Sequence, residues 1–116
     1  CGLDFGFSQD PTAAVMCHAV DNRLFISHCA GKIGLELDDT AAFIVGKIPD
    51  FDRYPIVADS ARPESISHLK RHGLPKITGA AKGKGSVEDG LAFMRSFTEI
   101  VIHSRCKPVI VFLFLH

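Results

Sequence analysis

The stretch Cys1-Gly2-Leu3-Asp4-Phe5-Gly6-Phe7 opens the chain and decides how the rest of it is interpreted. Large apolar residues occupy positions 3, 5 and 7, which is the alternation of a β-strand with one buried face. Asp4 therefore falls on the opposite face, close to Gly6, whose missing side chain leaves room for a ligand. Because a carboxylate is costly to bury unless it is paired or bound to metal, two interpretations stay open: Asp4 binds a cation, or it caps the following turn.

A second buried-strand run lies far away in the sequence and also ends in an aspartate. This run is Ile56-Val57-Ala58-Asp59-Ser60. If the two strands lie side by side, Asp4 and Asp59 hold their carboxylates over one shared position. The spacing of the two runs makes this arrangement suggestive without deciding it.

Length and composition indicate one soluble globular domain over residues 1–116. Hydrophobic residues make up 47% of the chain and charged residues 22%, and the formal net charge is zero. A neutral chain shows no global sign of nucleic-acid binding, so such a role requires a local basic patch. The chain opens inside a predicted strand without a start methionine, which suggests a piece of a longer protein.

Cysteine usage and hydropathy predict a cytoplasmic location and no membrane contact. The four cysteines are scattered with no CxxC pair, so neither a zinc site nor a disulfide framework is indicated, and reduced thiols are expected. The most apolar run, residues 109–115, has seven residues, whereas a helix needs about 20 to span a bilayer.

The order of predicted elements is typical of one fold class. Strands are predicted over residues 12–20 and 24–30 around the turn Asp21-Asn22-Arg23, with breaks at Gly31 and Gly34. A helix capped by Asp38 or Asp39 follows, with Ala41, Ile44, Val45 and Ile48 on its inner face. Five further elements complete the order: the strand ending at Asp59, a helix from Pro63 to Gly73, a short strand at 76–78, a helix after Ser86 and a strand at 99–103.

Three antiparallel strands followed by αβ units predict an RNase H-like fold, an α/β protein with a mixed five-stranded sheet flanked by helices. In that architecture the first strand lies beside the strand that follows the first helix, and the two are parallel. Adjacent strands are about 4.8 Å apart, so Asp4 and Asp59 would reach the same ion.

Three ordered motifs resemble the nuclease domain of phage terminase large subunits. The first is Gly2-Leu3-Asp4-Phe5-Gly6-Phe7 continued by Asp10-Pro11-Thr12-Ala13, and the second is Val57-Ala58-Asp59-Ser60-Ala61-Arg62-Pro63-Glu64-Ser65-Ile66. The third is Lys82-Gly83-Lys84-Gly85-Ser86-Val87 with Gly90. The resemblance runs from Gly2 to about Cys106.

The resemblance implies a nuclease that cuts concatemeric viral DNA with two metal ions while the DNA is packaged into a procapsid in the bacterial host. It implies that Asp4 and Asp59 are catalytic metal ligands for two divalent cations, Mg²⁺ or Mn²⁺. The implied partners are double-stranded DNA, the terminase small subunit and the portal protein. Two-metal hydrolysis requires ions about 3.5–4 Å apart, and hard cations favour carboxylate oxygens.

The family's third aspartate has no recognisable counterpart, because the chain ends in an apolar tail after Cys106. We therefore expect a C-terminally truncated domain. Asp10, Glu64 and Asp89 are weak candidates for the missing ligand, since each has a simpler role in a turn or a helix start. His103, at the end of the last predicted strand, is a slightly better one.

Lys82 and Lys84, placed between glycines before a helix, suit contact with DNA phosphates; a solvated loop is the alternative. The segment lacks the Walker A spacing, so no ATPase domain is expected in this chain. Three functions stay open: an active endonuclease domain, a catalytically impaired remnant without the third ligand, and, less favoured, an actin-like ATPase lobe.

Overall fold

Strands dominate the part of the chain that the computed structural model describes, which is residues 1–6, 11–59, 62–80 and 96–107. In chain order the elements are β1 (Gly2–Asp4), β2 (Pro11–Val20), β3 (Arg23–Ile33), α1 (Leu37–Lys47), β4 (Ile56–Ala58), α2 (Pro63–Arg71), β5 (Ile77–Gly79) and β6 (Glu99–Ile102). Short 3₁₀ turns occupy Phe51–Arg53 and Ser104–Cys106.

One mixed sheet joins all of these strands in the order β5-β4-β1-β2-β3-β6. Strands β1, β2 and β3 are antiparallel neighbours, whereas β1 pairs with β4, β4 with β5 and β3 with β6 in parallel. The predicted start of three antiparallel strands is confirmed. The sheet has six strands rather than five, because the short strand β5 pairs with β4 along its whole length.

The β2–β3 hairpin is longer than its sequence pattern predicts. Asp21 and Asn22 have φ angles of 51° and 62°, the left-handed values that a tight two-residue hairpin turn requires. Strand β3 continues through Gly31 to Ile33, so the predicted break at Gly31 is wrong. Gly31 stays in the ladder because it pairs with Ala13. The predicted break at Gly34 is confirmed, because the strand ends at Ile33 and Gly34 has a φ of 73°.

The N-cap of helix α1 lies two or three residues before the predicted caps. Glu36 is the N-cap residue and makes no side-chain cap hydrogen bond, so the prediction that Asp38 or Asp39 caps the helix is wrong. Both aspartates lie in the first turn, where carboxylates interact favourably with the helix dipole. The Thr40 hydroxyl instead donates to the Glu36 carbonyl at 2.8 Å.

Both helices contribute to the hydrophobic core on one face of the sheet. Leu3 and Ala58 are register partners on β1 and β4, and both are buried. They belong to a cluster that also contains Ile44 of α1 and Leu69 of α2. Fully burying a side chain of this size contributes about 1.5–3 kcal/mol, so the contact between helices and sheet accounts for much of the fold's stability.

The remaining predicted elements are placed near their expected positions where the structure describes them. Helix α2 has Pro63 in its first turn, strand β5 covers Ile77–Gly79, and strand β6 covers Glu99–Ile102. The predicted helix after Ser86, together with Lys82 and Lys84, lies outside the described residues. Within the described ranges, no helix has the length and apolar character needed to cross a membrane.

Gly73 and Gly46 offer a matched test of this packing. Gly73 follows α2 with a φ of 120°, and an added Cβ would come within 2.9 Å of the Ala41 Cβ. We expect Gly73→Ala to lower the free energy of unfolding by about 1–3 kcal/mol. Gly46 lies in α1 with open space around it, so Gly46→Ala should stabilise the chain by about 0.5–1 kcal/mol. Urea unfolding midpoints check both values, and equal midpoints for the two variants would contradict the placement of Gly73.

Candidate functional site

Asp4 and Asp59 occupy adjacent positions at the carboxyl ends of two parallel strands. Asp4 is the last residue of β1, and Asp59 directly follows β4. The register pairs Leu3 with Ala58, and the Asp59 N–H donates to the Leu3 carbonyl at 3.1 Å. The next position along both strands therefore aligns the two aspartates, with backbones about 4.8 Å apart.

The two aspartates lie on the sheet face opposite to the helices. Their neighbours Leu3 and Ala58 are 4% and 1% exposed on the helix side, and successive residues of a strand point to opposite faces. Asp4 is exposed and Asp59 is half-buried. Carboxylates in this position keep access to water and do not bear the cost of complete burial.

Small residues flank the aspartates along the same row of the sheet. Asp4 pairs with Ala13 of β2, which pairs in turn with Gly31 of β3. On the other side, the Ala80 N–H donates to the Ala58 carbonyl at 2.7 Å, which extends the β4–β5 pairing to Asp59 and Ala80. Because alanine and glycine have short side chains or none, they leave space on both sides of the two aspartates for a large ligand to approach.

Thr12 holds the chain immediately after Asp4, a role that the sequence analysis missed. Its hydroxyl oxygen accepts a hydrogen bond from the Gly6 N–H at 2.9 Å, and the residue is only 6% exposed. This bond ties the segment after β1 to the start of β2. Thr12 belongs to the same terminase-like sequence motif as Asp4 and Gly6. This is the one sequence feature that could have indicated the contact.

The other residues considered as a third ligand do not join the pair within the described structure. Glu64 lies exposed in the first turn of α2. His103 follows β6, which is separated from β1 by β2 and β3, and its ring accepts a hydrogen bond from Arg105. Asp10 and Asp89 lie outside the described ranges. Among the described residues, no group of three or more His, Cys, Asp and Glu side chains is placed to hold a metal ion.

The sheet order and the parallel β1–β4 pair define an RNase H-like α/β domain, and solved structures confirm this class. The nuclease domain of the large terminase from bacteriophage SPP1, solved with bound Mn, superimposes with a TM-score of 0.84 at 36% identity over 99% of this chain and 66% of that one. The large terminase of a thermophilic bacteriophage shares the fold at a TM-score of 0.70, with 15% identity over 94% of this chain and 29% of that one.

Sequence comparison identifies the family. The model of the terminase RNase H-like domain matches residues 4–111. The terminase large subunit of Bacillus phage SPP1 is 38% identical over 110 residues, which is 92% of this chain and 26% of that protein. The chain belongs to the terminase RNase H-like domain family, the nuclease domain of terminase large subunits. It spans about a quarter of the curated relative's length.

Replacing Thr12 tests whether its hydroxyl holds the segment beside Asp4. Thr12→Val removes the acceptor and leaves the Gly6 N–H without its partner, which should cost about 1–3 kcal/mol of unfolding free energy. Thr12→Ser keeps the hydroxyl and should retain most of the stability. Amide hydrogen exchange at Gly6 should accelerate in the valine variant alone. Equal exchange rates in the valine and serine variants would show that the hydrogen bond does not hold this segment.

Proposed function

We propose that this chain is the metal-dependent endonuclease part of a phage terminase large subunit, which hydrolyses phosphodiester bonds of concatemeric viral DNA during packaging. The observation that carries the proposal is the adjacent placement of Asp4 and Asp59 at the ends of parallel strands on one sheet face. The bound Mn in the related SPP1 nuclease domain supports a divalent cation as the cofactor.

The donor set of the site fits a hard divalent cation. Asp4 and Asp59 offer carboxylate oxygens, the ligands that Mg²⁺ and Mn²⁺ favour. When bound, a pair of such ions supplies an activated water and stabilises charge on the attacking and leaving oxygens. We propose that both aspartates hold these two ions and that the third ligand comes from outside the described residues.

The chain's own residues would position the substrate and the ions. The peptide hydrogen bond from Asp59 to Leu3 keeps the two carboxylates side by side, and the Gly6–Thr12 bond limits movement of the chain next to Asp4. The short side chains of Ala13 and its neighbours in the sheet leave space for a phosphodiester to reach the two aspartates. Lys82 and Lys84 are proposed to contact DNA phosphates.

The partners follow from the family. We propose that the substrate is double-stranded DNA in the bacterial host cell, and that the terminase small subunit and the portal protein act with the complete large subunit. These assignments concern the whole protein, of which the chain corresponds to a part.

A catalytically impaired domain is the second candidate function. The observation that favours it is the presence of only two clustered carboxylates in the described ranges. Two ligands hold a divalent ion less tightly than three, because each carboxylate adds charge and coordination to the site. In that case the 116-residue chain binds Mn²⁺ weakly and cleaves duplex DNA slowly or not at all.

Manganese binding tests the shared site directly. We expect Asp4→Asn and Asp59→Asn each to weaken Mn²⁺ binding by about tenfold or more, since each removes one negative ligand. The double variant should bind Mn²⁺ more weakly than either single one, because each carboxylate adds charge and coordination to the site. Calorimetric titration with Mn²⁺ measures all three affinities.

Asp39→Asn is the matched control, because Asp39 is an exposed aspartate in the first turn of α1. Its Mn²⁺ affinity should equal that of the wild type. Unchanged affinity in Asp4→Asn or in Asp59→Asn would overturn the shared site.

Plasmid nicking in Mn²⁺ distinguishes the active from the impaired domain. An active domain gives nicking that depends on Asp4, whereas an impaired domain gives little or no nicking by this 116-residue chain together with measurable Mn²⁺ binding. Robust nicking that Asp4→Ala abolishes would reject the impaired domain and show that the chain supplies a complete site.

A further inference from the structure

The outer edge of β3 is open beyond its pairing with β6. That pairing ends at Ile26, whereas β3 itself continues to Ile33. The 3₁₀ turn after β6 reaches as far as Cys29, whose thiol donates to the Cys106 carbonyl at 3.7 Å. Among the strands that the structure describes, none pairs with residues 30–33 on this side. Such an edge presents peptide N–H and C=O groups to a further strand.

The peptide groups of Gly31 and Ile33 point towards this open side. The Ile26 carbonyl accepts from the His103 N–H at 3.0 Å, so Ile26 directs its peptide groups outward. Ile26, Gly31 and Ile33 pair with β2 residues that are an even number of positions apart, so their side chains share one face of the sheet. Residues of one strand that share a face also direct their peptide groups to the same side. The N–H and C=O groups of Gly31 and Ile33 are therefore oriented to bond an added strand.

A groove of about 290 Å³ runs along this edge beside helix α1. Residues 29–32 of β3 line it together with Phe43 and Lys47 of α1. Side chains of successive strand residues point to opposite faces, so four consecutive residues line one groove only where the edge of the strand opens into it. The groove therefore gives a ligand access to the main chain of β3 and to the side of α1 at once.

Two lysines give this groove a positive charge. The Lys32 Nζ lies 5.6 Å from the centre of the Phe43 ring, and the Lys47 Nζ lies 6.0 Å from it. Both ammonium groups are thus held beside one aromatic ring by cation–π attraction. Both lysines are exposed, and within the described residues neither has a carboxylate within 4.0 Å. Their charges remain available to an acidic ligand.

Arg105 extends the positive charge along the same edge. Its Nη1 lies 2.9 Å from His28 Nε2, and no carboxylate in the described ranges lies within 4.0 Å of the guanidinium. His28 and Lys32 share the helix face of the sheet, because their β2 partners Met16 and Thr12 are an even number of positions apart. The helix side of this edge therefore carries several cations that are not paired with an acid of the described chain.

The two faces of β3 define which strand fits the edge. An added strand would place alternate side chains on the helix face, near Lys32 and Lys47, and the others on the opposite face, beside Gly31 and Ile33. Carboxylates complement the lysines, and apolar side chains complement Ile33. The matching ligand is an extended peptide in which acidic and apolar residues alternate. A DNA backbone offers phosphates to the lysines but no N–H donors to the β3 carbonyls.

We propose that the open edge of β3 binds an acidic, extended segment of a partner protein by strand addition, with carboxylates of that segment against Lys32 and Lys47. In this mode of recognition, main-chain hydrogen bonds supply affinity and alternate side chains supply specificity. The inference goes beyond the proposed nuclease function and does not depend on metal binding by the two aspartates.

Binding of a fluorescein-labelled peptide of alternating glutamate and valine to the full 116-residue chain, measured by anisotropy, tests the lysine contacts. Lys32→Gln and Lys47→Gln should each weaken binding by about two- to fivefold, the loss expected for one exposed ion pair. Lys70→Gln is the matched control, because Lys70 is exposed on α2, which packs beside β5 at the other edge of the sheet. Its affinity should equal that of the wild type. No binding by the wild-type chain, or equal losses in all three variants, would overturn the proposal.

Peptides that are N-methylated at alternate positions test the main-chain contact. A strand added to an edge directs every second N–H towards that edge. Methylation of one alternate set should therefore abolish binding, whereas methylation of the other set should weaken it much less. Binding by charge alone predicts equal affinities for the two methylated peptides, and that result would reject strand addition.

Amide hydrogen exchange gives a measurement at the edge itself. The N–H groups of Gly31 and Ile33 should exchange more slowly when the peptide is bound, because they then donate to the added strand. Unchanged exchange at both residues would place the peptide elsewhere and contradict the proposal. Displacement of the peptide by duplex DNA, with unchanged exchange at Gly31 and Ile33, would assign the lysines to phosphate contact instead.

Discussion

The parallel pairing of β1 with β4 is the constraint on which the candidate site depends. Peptide hydrogen bonds from Val57 to Cys1 and from Asp59 to Leu3 set the register of the two strands. A slip of one residue would turn every side chain of β4 to the other face. Burial of Leu3 and Ala58 against the helices opposes such a slip, so packing on one face determines where the carboxylates lie on the other.

The two faces of the sheet therefore differ in composition and in exposure. The helix face is packed with aliphatic side chains from both helices and from strands β1 and β4. The opposite face carries Asp4 and Asp59 in a row of alanine and glycine residues. Because the acids contribute little apolar contact, the free energy of folding comes mainly from the helix face, and the site face is left open to a ligand.

Sequence patterns were sufficient to predict the order of the described elements, the fold class, the family and the two aspartates at strand ends, because alternation and short motifs are local properties. Local rules failed at two positions: Gly31 stays in β3 because it is paired there, and Glu36 rather than Asp38 or Asp39 is the N-cap of α1. The shared face of Asp4 and Asp59 and the entry of β5 into the sheet as a sixth strand became visible in the folded structure alone. These depend on strand register and long-range contacts, which no stretch of neighbouring residues encodes.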